Sequence, residues 1–247
     1  MTATLLQINQ DAADECSVTR PETVINNADE DVRRLLQMSR KGGRQMVKMA
    51  DWTVLQRLHT ITTDAANTTG EYALPDDYGR LLGETVWDRS GQRPMAGPVN
   101  PQEWQNLKSS GFGGSNIYEK FRVYRASTGV GRSVYIHPVP TVSGETRAFE
   151  YISKHWCVNA DLVTTQDDWV ADSDVAILDQ DLLTLDLIVR FKRSIGLDFT
   201  SEAQELESML STEKGQDRPS PAVSLNSHTR LHLIGWANIP ETGIGSD

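Results

Sequence analysis

The chain has 247 residues, enough to bury a core in one or two domains. Apolar residues make up 38% and the mean hydropathy is −0.44, which leaves room for extended parts that pack only on partners. A formal net charge of −10 argues against nucleic-acid recognition, which needs a dense stripe of Lys and Arg for phosphate.

Leu5, Ile8, Ala12 and Cys16 recur at spacings of three and four, which predicts one face of a short helix ended by Pro21. Cys16 then reads as a small core residue. Cys157 is the only other cysteine, and no CxxC spacing exists. Folding in a reducing cytoplasm is therefore expected, without a disulfide framework. The opening residues Met1-Thr2-Ala3-Thr4 lack a basic region followed by a long apolar run, so no signal peptide is expected. Asn26, Asn27 and Asp29 offer N-caps for a second helix, whose apolar face is Val32, Leu35, Leu36, Met46, Val47 and Ala50. The basic residues Arg33, Arg34, Arg40, Lys41, Arg44 and Lys48 are scattered by helical spacing and read as a solvated face. Gly42-Gly43 interrupts this helix and marks either a kink or a close helix crossing.

After Asp51-Trp52 the texture becomes β-like. The strand candidates are Leu55 to Thr63, Leu81 to Arg89, Ile117 to Arg125, Ser133 to His137 and Thr146 to Trp156. Turns rich in Gly and Pro separate them, as at 109–115 and 138–144. Asn100 caps a short helix that opens with Pro101 at its first position. Helical texture returns near Asp179 with the stripe Leu178, Leu182, Leu185 and Val189, flanked by Ile188 and Ile195. Gly196 is a natural C-cap, and Phe199, Ala203, Leu206 and Leu210 form the next stripe. A very short turn joins the two helices, which predicts an antiparallel pair packed on the N-terminal helices.

The expected fold class is α+β: a discontinuous α-helical bundle with an inserted β-sandwich or barrel-like domain and an extended C-terminal arm. The boundaries are 1–53 for the N-terminal helices, 54–166 for the β-rich insert, 167–214 for the helical hairpin and 215–247 for the arm. The arm is polar until Leu231-His232-Leu233-Ile234-Gly235-Trp236. Two readings stay open for it: a strand-like segment that adds to a neighbour's sheet, or a disordered end. No stretch reaches the roughly 18 apolar residues of a membrane span, so a soluble, unanchored protein is expected.

Several groupings raise chemistry and fall short of it. His228 and His232 are four apart, but their surroundings look extended and no third metal ligand is evident. Asp161, Asp167, Asp168, Asp172 and Asp174 suggest calcium, yet the EF-hand spacing is absent and a solvated loop before a helix accounts for them. A hydrolase carboxylate pair drawn from Glu71, Glu84, Glu103 and Glu150 would be arbitrary. Gly129-Val130-Gly131-Arg132 lacks the Lys-Ser/Thr of a P-loop. No catalytic residue, cofactor or metal is assigned.

A run of short strings, in order over about residues 1–210, resembles the head–tail adaptor family of tailed phages, connector or tail-tubular-like proteins that dock under the portal. The strings are Ala50-Asp51-Trp52, Glu71 to Tyr78 (EYALPDDY), Val86-Trp87-Asp88-Arg89 before Arg93-Pro94-Met95, and Pro101-Gln102-Glu103-Trp104. They continue with His137-Pro138-Val139-Pro140 before Phe149 to Ser153, and Leu182 to Ile188 leading into Phe191-Lys192-Arg193 and Gly196-Leu197-Asp198. The resemblance implies a non-enzymatic virion protein of the neck, assembled in the host cytoplasm. It implies a ring of copies, commonly twelvefold, with the portal above and a tail nozzle or fibre proteins below. DNA would pass through its channel without specific recognition. Leu231, Leu233, Ile234 and Trp236 would then form a portal or neighbour docking arm. Trp87, Trp104 and Trp156 would lie either at subunit or tail contacts or in the subunit's own core. The alternatives are a carbohydrate- or receptor-binding tail module and a virion-associated cell-wall hydrolase.

Overall fold

A computed structural model describes residues 3–109 and 119–217. The first helix, α1 (Leu5–Glu15), starts from a capping box: the Thr4 hydroxyl accepts from Gln7 N–H while the Gln7 side chain accepts from Thr4 N–H. Helix α2 (Glu30–Met49) is capped by Asp29, whose carboxylate accepts from the amides of Asp31 and Val32. It runs through Gly42-Gly43 as one helix, and Gly42 lies where α4 crosses close by. A Cβ on Gly42 would stand 2.4 Å from Asp186 Oδ2, and one on Gly43 would stand 2.4 Å from the Trp156 ring. Only glycine lets these neighbours come so close.

Helices α4 (Gln180–Ile195) and α5 (Thr200–Gln216) complete the helical layer. Gly196 takes the left-handed conformation at φ 76° and closes α4, as its sequence position predicts. The two helices are antiparallel: Lys192 near the end of α4 pairs with Glu202 near the start of α5, and Leu182 shares a groove with Glu213. Helix α4 packs on α1 and α2 with Leu182, Leu183, Leu187, Ile188 and Phe191. Leu185 and Val189 are only half-buried and Ile195 is exposed, so the core face of α4 is rotated from the stripe read in the sequence. Helix α5 buries no residue fully; Leu206, Met209 and Leu210 rest on the layer from outside.

Between α2 and α4 lie three antiparallel sheets and the short helix α3 (Pro101–Ser109), which Asn100 caps through Glu103 N–H as expected. The strands are β1 (Gln56–Thr62), β2 (Glu71–Ala73), β3 (Tyr78–Leu81), β4 (Trp87–Asp88), β5 (Arg93–Pro94), β6 (Lys120–Arg125), β7 (Arg132–His137), β8 (Thr146–Ser153), β9 (Cys157–Val158), β10 (Thr165–Gln166) and β11 (Val175–Ala176). The predicted strand over Leu81 to Arg89 is in fact the end of β3, a turn with Glu84 at φ 62°, and β4. Residues 117 and 118 of the predicted Ile117 to Arg125 strand lie outside the described residues.

Strand β8 is the hub. It pairs with β1 on one side and with β3 and β4 on the other, and β5 extends β4. A second sheet orders β2, β7 and β6. The two sheets share an apolar core of Ile61, Val86, Met95, Phe121, Val134, Ile136, Phe149 and Tyr151. Neither closes, so the barrel-like alternative is corrected to open antiparallel sheets. Because side chains alternate along a strand, β8 serves two cores. Phe149 and Tyr151 enter the one between the sheets, while Ile152 joins the helices. A third sheet, β10-β9-β11, brackets the acidic stretch: β9 precedes Asp161, β10 lies within it and β11 follows Asp174.

Candidate docking surfaces

In the helical layer, Trp156 is fully buried. Its indole N–H donates to Asp167 O at 2.8 Å, and its ring meets Trp169 edge-on at 4.6 Å. Trp169 donates in turn to Ser39 Oγ at 2.8 Å. Trp156 therefore exposes no surface to a neighbour, and its assignment as a possible interface residue is corrected: it anchors the subunit's own core. Cys157 is buried beside it. Burial pushes its thiol well above the ordinary range, with Asp174 and Asp168 adding to the rise, and Cys16 is also raised by burial. Neither thiol is poised to react.

The acidic stretch is partly structural as well. The Asp172 carboxylate accepts from the amides of Val24 and Ile25 at 2.7 to 3.2 Å, and buried Asp174 accepts from Val170 and Ala171 N–H. These acids tie the α1–α2 connection to the segment before α4, so for them the solvated-loop reading is corrected. Asp161 and Asp167 are exposed. Among the described residues no group of three or more His, Cys, Asp or Glu side chains is placed to hold a metal ion.

The sheet layer carries a different kind of anchor. Arg147 on β8 is 3% exposed and pairs with Asp88 at 2.8 Å, Glu119 at 2.6 Å and Glu145 at 2.9 Å. Asp88 also receives Arg93 at 3.2 Å. Burial opposes the Arg147 charge, but the hydrogen bonds it donates to Glu119 and Glu145 outweigh that and hold the guanidinium pKa above its usual value. Nothing in the spacing of these residues marked them as a cluster.

Trp87 on β4 is half-buried, and Trp104 on α3 is buried against Tyr135 and His137 with Lys108 over its ring. Next to Trp104 lies a groove of about 270 Å³ lined by Gln105, Arg122, Tyr124 and Tyr135. Tyr124 is 57% exposed and carries the Arg122 guanidinium 4.7 Å above its ring. On the helical side, an apolar groove of about 290 Å³ runs between Met46, Trp52, Val54, Ile177 and Leu182, closed by Glu213 and Asp217. Exposed Met49, Val54 and Leu58 follow one another along the chain from α2 into β1. Leu231, Leu233, Ile234 and Trp236 of the arm, and the His228/His232 pair, lie outside the described residues.

Among the described residues no helix is long and apolar enough to cross a membrane. No curated protein matches the chain. A family model described as SU10 adaptor protein matches residues 3–223, which takes in the helical layer and the sheets together. The chain belongs to the SU10 adaptor protein family, a phage head–tail adaptor family.

Proposed function

We propose that this protein is a structural, non-enzymatic ring subunit of the virion neck. Copies close under the portal after DNA packaging and present a platform to a tail nozzle or to fibres. The ring is twelvefold, and DNA passes its channel without sequence-specific contact. The family match across residues 3–223 carries this reading. In it, residues 1–53 and 167–214 form one helical bundle, 54–166 a β insert, and the segment after α5 an arm that docks on the portal or a neighbour. Trp87 and Trp104 are the remaining aromatic candidates for subunit or tail contact.

The test is a phage lacking this polypeptide. Filled heads without tails, leaking their genome, are expected. A virion that keeps both tail and genome overturns the proposal. Truncation sharpens it. Helix α5 runs to Gln216, and the Asp217 carboxylate accepts from Thr53 N–H at 2.8 Å. An arm deletion must therefore begin at residue 218, not 215, to leave the subunit intact. Deletion of 218–247 abolishes stable docking while the fold persists. A second reading, a glycan- or receptor-binding module, draws on the Tyr124–Arg122 groove, since sugars stack on exposed aromatic rings. Glycan binding lost on Tyr124→Ala would favour it.

A further inference from the structure

The described sheets treat their edges unequally. Strand β6 is covered along its first residues: Phe121 N–H donates to Ala96 O, and Phe121 O accepts from Val99 N–H. Strands β2, β5, β10 and β11 are two or three residues long, β5 ends in Pro94, and β3 has four residues with an irregular register at Tyr78 to Arg80. Strand β1 is the exception. Its seven residues pair with β8 in unbroken register, from Gln56 opposite Ile152 to Thr62 opposite Thr146.

The hydrogen-bond alternation fixes which groups β8 uses. Thr63 N–H donates to Glu145 O, whereas Glu150 O is taken on the opposite side of β8 by Leu82 N–H. The odd-numbered residues of β1 therefore face β8. Leu58, Thr60 and Thr62 point their N–H and C=O groups outward, where no partner is found among the described residues. Edge strands are normally blunted by Lys, Pro or a bulge. Strand β1 contains no Lys, Pro or bulge and a single charged residue, Arg57, whose own backbone groups face β8; Leu58 is 55% exposed, as is Val54 just before the strand.

We infer that the open edge of β1 receives residues 231–236 of a second copy of this chain as an added antiparallel or parallel strand. The inference rests on the ring reading above. In an extended segment Leu231 and Leu233 would share one face and Ile234 and Trp236 the other, so either face offers apolar side chains to Leu58. Asp217 is hydrogen-bonded to Thr53, three residues before β1 begins, so the arm of every copy departs beside the start of its own β1. Residues 218–230 can span at most roughly 45 Å when extended, a reach suited to an adjacent subunit.

The test uses virions from a phage without its own copy of the gene, supplied with two full-length chains. One carries Leu58→Cys, Thr60→Cys or Thr62→Cys, and the other Leu233→Cys; the native thiols are buried. Mild oxidation should give a cross-link between chains at one or two of the three positions, well above a Leu162→Cys control on an exposed loop. Adding Thr60→Pro removes an outward donor but no bond to β8, and should lower the yield roughly tenfold or more. Without any substitution, amide exchange of peptide 56–62 should slow on assembly. Tailed virions with no cross-link above the control and unchanged exchange overturn the inference and leave the adaptor reading standing. So do cross-links that form only when both cysteines sit on one chain. If tails attach in the absence of the chain, the adaptor reading itself fails.

Discussion

The helical layer and the sheets share strand β8, whose Ile152 joins the helical core while Phe149 and Tyr151 enter the core between the sheets, and their largest anchors differ in kind. On the helical side the largest anchors are apolar: Trp156, Trp169, Leu187 and Phe191 fill the core, and Gly43 is small because the Trp156 ring occupies the space a side chain would need, while the buried Asp186 pairs with Arg190 within α4. On the sheet side, the same strand buries Arg147 among Asp88, Glu119 and Glu145. An apolar contact tolerates small errors of direction, while a buried ion cluster requires every partner in place. The difference suits a subunit whose helices form its own core and whose sheet loops must be fixed in direction: Glu119 holds the chain entering β6, and Asp88 holds the β4–β5 turn through Gly91 N–H.

Several substitutions break that contrast, and others sharpen it. Trp156→Ala removes one of the two largest buried side chains of the helical core and should cost about 3–5 kcal/mol in urea unfolding. Arg147→Met leaves Glu119 buried without its cation and Asp88 with Arg93 alone, and should also cost about 3–5 kcal/mol. If Arg147→Met proved neutral, the cluster would not anchor the sheet. Gly43→Ala should cost about 1–3 kcal/mol by overpacking against Trp156, and pairing it with Trp156→Leu should recover part of that loss. Lys192→Ala cuts a half-exposed pair between α4 and α5, so a loss of only about 0.2–1 kcal/mol is expected.

The smallest effect is in pH. Hydrogen bonds from the Ser127 side chain and backbone N–H pull the Glu71 carboxyl down to about 2. A carboxyl lowered by folding stabilises the fold fully above its unfolded value near 4.5, and that contribution fades as pH falls toward 2. Glu71→Gln should therefore flatten the acid side of the stability profile without changing stability at pH 7 by more than the loss of this one tie.

Much of the helical layer was legible because its signals are local. Asp29, Asn100 and Gly196 cap the helices as their residue types predict, and α1 and α2 bury the faces that their periodicity marks. The core face of α4 differs from the stripe its sequence marks because the helix is apolar on two sides, one toward α1 and α2 and one toward α5, and periodicity within the helix does not rank them. Strands β9 to β11 are two residues each, too short to leave a period-two pattern. The Arg147 cluster joins positions 88, 119, 145 and 147, and only the pairing of β4 with β8 brings Asp88 to it.

By itself the sequence determined where helices start and stop, which residues turn the chain, and the order of strings that marks an adaptor, since all of these are written in neighbouring residues. The tertiary structure decided that Gly42 marks a close crossing with α4 and Gly43 makes room for the Trp156 ring, that Trp156 belongs to the interior, that Asp172 and Asp174 hold the chain, and that β1 keeps an open edge. Each of these depends on what a distant segment brings to within a few ångströms, and a single chain of letters carries no measure of that distance.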